Sequence, residues 1–240
     1  KLKKNDIVLD IGANDGTSLK YFKKSEFKTI GCEPAKNLKE ELKKNCTFLI
    51  NNFWSSKELF KILKKNKLKK PKLITAIGMF YDLKDPNKFI RDAANSLSED
   101  GIFVAQLMSL KSMIEKNDLG NICHEHIEFY SFSSIKYLFE KNGLEIFKIS
   151  KNEINGGSYR FYCRKFKTGS IKLPNENVLK MMKNFVQRVI DNKNKTLRFI
   201  KAQHKAGKKI FLYGASTKGN TVLQYYGLNE KIIPYAAERS

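Results

Sequence analysis

The stretch VLDIGANDG, Val8–Gly16, decides how the rest of the chain reads. The apolar run Ile7–Ile11 predicts a buried strand, and the pattern near Ser18–Lys24 predicts the helix after it. Between them, Gly12 and Gly16 let the backbone bend sharply and let a ligand come close. The spacing lacks the middle glycine of the dinucleotide fingerprint, which suits a ligand without a pyrophosphate. Glu33 closes a second predicted strand, Lys28–Cys32, where a carboxylate can accept both hydroxyls of a ribose. Pro34 follows directly and stops that strand.

Working outward, short apolar runs alternate with helical patterns. Helices are predicted at Leu38–Lys44, Ser56–Lys65, Asn87–Ser96 and Ser133–Asn142. Strands are predicted at Thr47–Ile50, Leu73–Met79, Gly101–Leu107, Leu144–Ser150 and Ser158–Lys165. That alternation predicts an α/β fold with a parallel sheet covered by helices. The polar segment KTGSIKLPN at 167–175 reads as a linker, and an amphipathic helix with an apolar stripe from Val178 to Ile200 follows it. Then come a strand at Lys209–Tyr213, a glycine turn, a helix from about Asn220 and one more strand before YAAERS. The expected division is residues 1–166 as one domain and 167–240 as linker, long helix and the start of a second α/β unit. No signal peptide is read ahead of the first strand, so nothing points to secretion; both ends read as trimmed, and a leader lost with the start would leave no trace.

Composition narrows the function. The 240 residues are 41% hydrophobic and 12% aromatic, which is a folded chain. No apolar run approaches the roughly 20 residues that span a bilayer, so membrane insertion is not expected. The four cysteines form no C-x-x-C pair, which argues against a zinc site or a disulfide framework and for reduced thiols in the cytoplasm. The net charge of +22 raises nucleic acid as a partner. The lysines are scattered, however, as in KKNKLKKPK at 64–72, and a phosphate-bearing small substrate profits equally. Nucleic acid is therefore not expected, and oligomeric state is left open.

The chain has three histidines, and two flank Glu125 in NICHEHIEFYS at 121–131. An extended segment would put His124 and His126 on one face, and a helix would splay them. Neither gives the i, i+4 spacing of helical zinc sites, and no further cluster completes a ligand set, so no metal is expected. A histidine beside a carboxylate can instead move a proton, with Tyr130 or Tyr81 available to a developing oxyanion. On the fourth strand, AIGMFYDLKDP places Gly78, Met79 and Phe80 at the same rim as the glycine loop, where Met79 and Phe80 either flank a ligand or fill core.

The loop with its strand-end glutamate resembles the S-adenosylmethionine site of class I methyltransferases. In that resemblance Gly12 and Gly16 approach the methionine part, Asp10 and Asn14 hold polar groups, and Glu33 with Pro34 lies at the ribose. Together, VLDIGANDG, EPA, MFYDLKDP, HEHIEFYS, NGGSYR and GASTKGNT…QYYGL…YAAER resemble the S-adenosylmethionine-dependent sugar C-methyltransferases, which act on nucleotide-linked 4-keto-deoxy sugars. The resemblance runs in order along nearly the whole chain. It implies a Rossmann-like sheet with helices on both faces, plus a long helix and a partial second α/β unit. It implies His126 as the base that takes the proton beside the ketone, with Glu125 assisting and Asp82 in the acid–base set. Tyr81, Gln106, His124, Tyr130 and the turn Asn155, Gly156, Gly157 and Ser158 would line the sugar pocket. The chain departs from the pattern where some members carry histidine in place of Asp82 and tyrosine in place of Cys123. The cysteine-rich zinc module with which members begin is not among these residues, which reads as either a fragment or a pared-down relative.

GASTKGNT at 214–221 nearly spells a phosphate loop, but Asn220 stands where the decisive lysine belongs, and Lys218 comes two residues earlier. A strand–turn–helix unit still presents backbone N–H groups to anions. In the resemblance, Tyr213, Ser216, Thr217, Lys218 and Asn220 face the substrate's nucleotide diphosphate. The rival readings are O- or N-methylation of another metabolite or of nucleic acid, and a ligand-binding module without catalysis.

Overall fold

The structure, a computed structural model, describes residues 2–214 and 216–238, and every side chain among them except that of Asn155. The first apolar run is β1 (Ile7–Ile11), buried along its full length. It pairs in parallel with β2 (Lys28–Cys32) and with β4 (Leu73–Ile77). With β3 (Phe48–Ile50), β5 (Ile102–Met108), β6 (Leu144–Asn152) and β7 (Ser158–Lys165) it builds a seven-stranded sheet of order β3-β2-β1-β4-β5-β7-β6. β7 runs antiparallel between β5 and β6. The chain therefore winds outward from β1 to β3, returns, and winds the other way through β4 and β5. The crevice where that order reverses is where open α/β sheets bind ligands.

Helices cover both faces because β1 alternates its side chains. Ile7, Leu9 and Ile11 join a core with Leu59 and Leu63 of α3 (Ser56–Lys65), Ile90 and Ala93 of α4 (Pro86–Ser96), and Ile135 and Phe139 of α6 (Phe132–Lys141). Val8 faces the other way, onto Leu19 of α1 (Thr17–Lys24) and Leu42 of α2 (Lys39–Asn45). The fold class is the expected one.

Several elements differ from the sequence reading. The fourth strand ends at Ile77 rather than Met79, because Gly78 takes φ +73 and a 3-10 turn at Phe80–Asp82 follows. A short helix, α5 (Leu110–Glu115), was not anticipated; Ser109 caps it by accepting a hydrogen bond from the Ser112 N–H. The polar segment after β7 is not a free tether. Buried Glu145 accepts backbone hydrogen bonds from Lys167, Thr168 and Gly169 at 2.7–2.8 Å and a side-chain bond from Arg164 at 2.7 Å.

The long helix, α7 (Val178–Lys205), buries Phe185 and Val189 against Met113 and Ile114 of α5. Val186 and Ile190 of the expected stripe stay exposed. A small parallel sheet of β8 (Phe211–Tyr213) and β9 (Tyr235–Ala237) follows, with α8 (Thr217–Tyr226) between its strands. α8 therefore begins ahead of the expected start near Asn220. Among the described residues no helix is long and apolar enough to cross a membrane.

Candidate active site

A cleft of about 610 Å³ opens at the strand ends around β1, lined by Gly12, Glu33, Pro34, Phe53, Trp54, Met79, Asp82 and Leu83 among others. Its floor needs glycine: Gly12 sits at φ +72, and a Cβ there would stand 2.9 Å from Met79 Cγ. Gly16 sits at φ +80, where a Cβ would meet Leu42 and Asn45 at 2.8 Å, so it serves close packing of α1 on α2. Glu33 is held by its neighbours. Its Oε2 accepts from the Asn14 N–H at 3.1 Å and its Oε1 from the Ala35 N–H at 3.0 Å. A carboxylate has about four acceptor positions, so lone pairs remain for hydroxyls in the cleft. An apolar cleft with a glycine floor and one strand-end carboxylate fits an adenosyl group.

Asp10 turns away from this cleft. It is 6% exposed and accepts a 2.5 Å bond from Thr75 Oγ1. Burial pushes its carboxyl up to about 6, with Thr75 opposing the shift and the Glu33 charge adding to it. Asn14 contributes its N–H rather than an enclosed amide, since its side chain is exposed. Of the two readings open for Phe80, the structure takes the core one. It is fully buried, with its ring 5.6 Å from Phe89 and 5.9 Å from Phe139, so it is core and not cleft wall. Phe53 and Trp54 went unread in the sequence. The signal was there, because the chain's single tryptophan comes four residues after a strand end at the ligand rim.

The histidine loop adjoins the cleft at Asp82. His124 and Glu125 form a turn, closed by the His126 N–H donating to the Cys123 carbonyl at 3.2 Å, so neither the extended nor the helical arrangement applies. The N–H groups of Ile127 and Glu128 both donate to the Tyr81 carbonyl at 3.1 Å, which ties this loop to the 3-10 turn after β4. The Tyr81 ring lies 4.5 Å from the His126 ring, and its hydroxyl donates to the Gly78 carbonyl at 2.8 Å. Burial raises the Tyr81 hydroxyl's pKa, and the nearby charges of Asp82 and Cys123 add to that. Asp82 is also raised, first by desolvation, with His126 opposing and Glu125 adding. Asp82, Glu125, His126 and Tyr81 thus share one electrostatic neighbourhood.

His126 Nδ1 lies 2.9 Å from the Asn121 carbonyl oxygen. A carbonyl only accepts, so Nδ1 carries the hydrogen. In the neutral ring, Nε2 is then left with its lone pair.

Other expected residues fall elsewhere. The Tyr130 ring packs 5.4 Å from Phe80, and its hydroxyl is buried without a hydrogen-bond partner. Burial, helped by the Glu128 charge, holds that hydroxyl well above the usual tyrosine range. Gln106 is buried, and its Oε1 takes hydrogen bonds from Arg160 at 2.7 and 3.1 Å and from Asn152 at 3.3 Å, leaving it engaged within the sheet. Gly157, at φ +125, presses against Ser112 of α5, and Ser158 is buried with its hydroxyl on the Ile154 carbonyl. The Asn155 side chain lies outside the described residues. In the second glycine turn, Ser216 Oγ caps α8 by accepting from the Gly219 N–H at 3.2 Å. Tyr213 and Asn220 are exposed, Thr217 is half-buried, and Lys218 is turned toward Asp118. Among the described residues no group of three or more His, Cys, Asp or Glu side chains is placed to hold a metal.

Comparison with known proteins gives this geometry a context. A family model described as a methyltransferase domain matches residues 1–149, and one described as a C-methyltransferase C-terminal domain matches residues 153–240. The C-methyltransferase NovU of Streptomyces niveus is 23% identical over 254 residues, spanning 99% of this chain. The chain covers 59% of NovU's length. The mycolic acid cyclopropane synthase CmaA1, solved with SAH and CTAB, aligns over 68% of this chain and 79% of its own, at TM-score 0.52 and 12% identity. A pericyclic reaction enzyme aligns over 68% of this chain and 44% of its own, at TM-score 0.52 and 9% identity. At such identities the likeness is one of fold, and a fold does not name a reaction.

Proposed function

Because the chain belongs to the methyltransferase-domain family, we propose that it is an S-adenosylmethionine-dependent methyltransferase and that it transfers the methyl group to carbon. The acceptor in this reading is a keto-deoxy sugar carried on a nucleotide. S-adenosylmethionine supplies an electrophilic methyl on a sulfonium centre. Gly12, Glu33, Pro34 and Met79 would hold it, with Phe53 and Trp54 as apolar walls.

Carbon is a poor nucleophile until it loses a proton, so the chain must provide a base. The observation that carries the reading is the Nδ1–H of His126 held on the Asn121 carbonyl, which leaves Nε2 as the base. His126 takes the proton from the carbon beside the ketone. Glu125 and Asp82 favour the imidazolium that results. Tyr81, with its ring 4.5 Å from the imidazole and its hydroxyl hydrogen on the Gly78 carbonyl, steadies the His126 ring. The enolate is the carbon nucleophile that methylation requires. Support for a carbon acceptor comes from the match of residues 153–240 to a C-methyltransferase C-terminal domain and from the likeness to NovU. The sugar would lie over His124 and the 155–158 turn, with the first turn of α8 and Thr217, Tyr213 and Asn220 toward its diphosphate.

Incubation with a nucleotide-linked keto sugar in deuterium oxide, without methyl donor, tests this. Deuterium should enter the carbon beside the ketone, and His126→Asn should stop both exchange and turnover by about a thousandfold while donor affinity stays within about twofold. Methyl transfer without exchange would sink the enolate reading and favour an oxygen or nitrogen acceptor.

A further inference from the structure

One carboxylate ties the histidine loop to the C-terminal unit. Asp118 Oδ2 accepts from Asn121 Nδ2 at 2.5 Å and lies 3.8 Å from Lys218 Nζ on α8. A Cβ on Gly120 would stand 2.8 Å from Lys218 Cβ and 3.0 Å from the Lys218 carbonyl oxygen, so the first turn of α8 rests on the loop's own backbone. The 154–157 turn reaches the same carboxylate: a Cβ on Gly156 would lie 3.4 Å from Asp118 Oδ2. Within the loop, the Asp118 N–H donates to the Met113 carbonyl at 2.9 Å, and the Asn121 N–H donates to the Asp118 carbonyl at 3.3 Å. Asn121 is 1% exposed, and its carbonyl is the one that meets His126 Nδ1.

We propose that Asp118 and Lys218 are positioning residues for His126: Lys218 holds Asp118, Asp118 holds the Asn121 side chain, and the Asn121 carbonyl fixes which imidazole nitrogen carries the hydrogen. The inference rests on the reading of His126 as the base. An imidazole free in water favours the hydrogen on Nε2, the nitrogen that must be bare here. If the Asn121 peptide rotates, the ring returns to that preference and loses its lone pair toward substrate. The Lys218–Asp118 pair is partly exposed, and pairs of that kind add little stability. What it contributes is placement, and small misplacements of a reacting group are costly in rate. Lys218 in this account acts inward on the loop rather than outward on an anion.

Nitrogen-15 NMR of the imidazoles in the full chain reads this directly, because three histidines give few signals to assign. In the unaltered chain, His126 should show hydrogen on Nδ1 and a bare Nε2. Lys218→Met and Asp118→Ala should move it toward a mixture of tautomers. They should also lower kcat about ten- to a hundredfold, with KM for the keto sugar within about twofold, and Lys218→Arg should restore both. Calorimetry with S-adenosylmethionine checks that each variant is folded. An unchanged His126 tautomer in both variants, or a loss confined to KM, overturns the proposal. Retained turnover in His126→Asn would overturn the base assignment alone, while the imidazole signal judges the Asp118–Lys218 contact separately.

Discussion

Asp10 carries a cost that the folded chain bears in the absence of ligand. Its carboxyl is pushed from 3.8 up to about 6 by burial, so the folded state disfavours the charge. The stabilising contribution is present below about pH 4 and is lost as pH rises through about 6. Asp10→Asn should therefore stabilise the ligand-free protein at pH 7 by up to about 3 kcal/mol. Urea unfolding at several pH values checks this, and the gain should close by about pH 4. Gly12→Ala acts on the opposite side of the loop. With φ +72 and Met79 at 2.9 Å, it should cost about 1–3 kcal/mol of strain and cut donor affinity measured by calorimetry. Gly12 was legible in the sequence because its cause is local, a glycine at a turn, whereas the Asp10 carboxyl meets Thr75 of a different strand. The sequence could not place Phe80 and Gln106 because their partners, Phe139 and Arg160, come from elements distant along the chain.

Among the elements, legibility follows the same division. β1, β2 and β7 have the bounds expected of them, since each is a β-rich run closed by turn residues. α5 escaped notice because Met113 and Ile114 are buried against Phe185 and Val189 of α7, more than seventy residues onward in the chain. The clamp on the 167–169 segment was equally invisible, because Glu145 reads locally as an ordinary strand residue. Its backbone and Arg164 hydrogen bonds outweigh burial and hold its carboxyl down at about 2. That stabilisation is complete above about pH 4.5 and is lost as pH falls toward about 2. Glu145→Gln puts an amide N–H among three N–H donors. It should lower Tm by about 5 °C or more, which corresponds to roughly 2 kcal/mol for a chain of this size. Calorimetry at neutral pH would measure it, and the gap between the two proteins should narrow in strong acid.

At the scale of the whole molecule, the long helix and the histidine loop are one mechanical unit. Phe185 and Val189 are buried on α5, and Arg188 Nη2 donates to the Ile114 carbonyl at 2.5 Å, so α7 grips the segment that leads into the loop. Phe185→Ala should cost about 3 kcal/mol in urea unfolding and raise amide exchange across residues 110–126. A stability loss with no change in exchange there would separate the two.

The group that orients His126 is a main-chain oxygen, and no codon specifies it. Single-nucleotide drift at position 121 can change the side chain without deleting that acceptor. The imidazole's orientation is therefore open to inherited change only through the posture of the loop, which is set by residues lying on both sides of the chain's long helix.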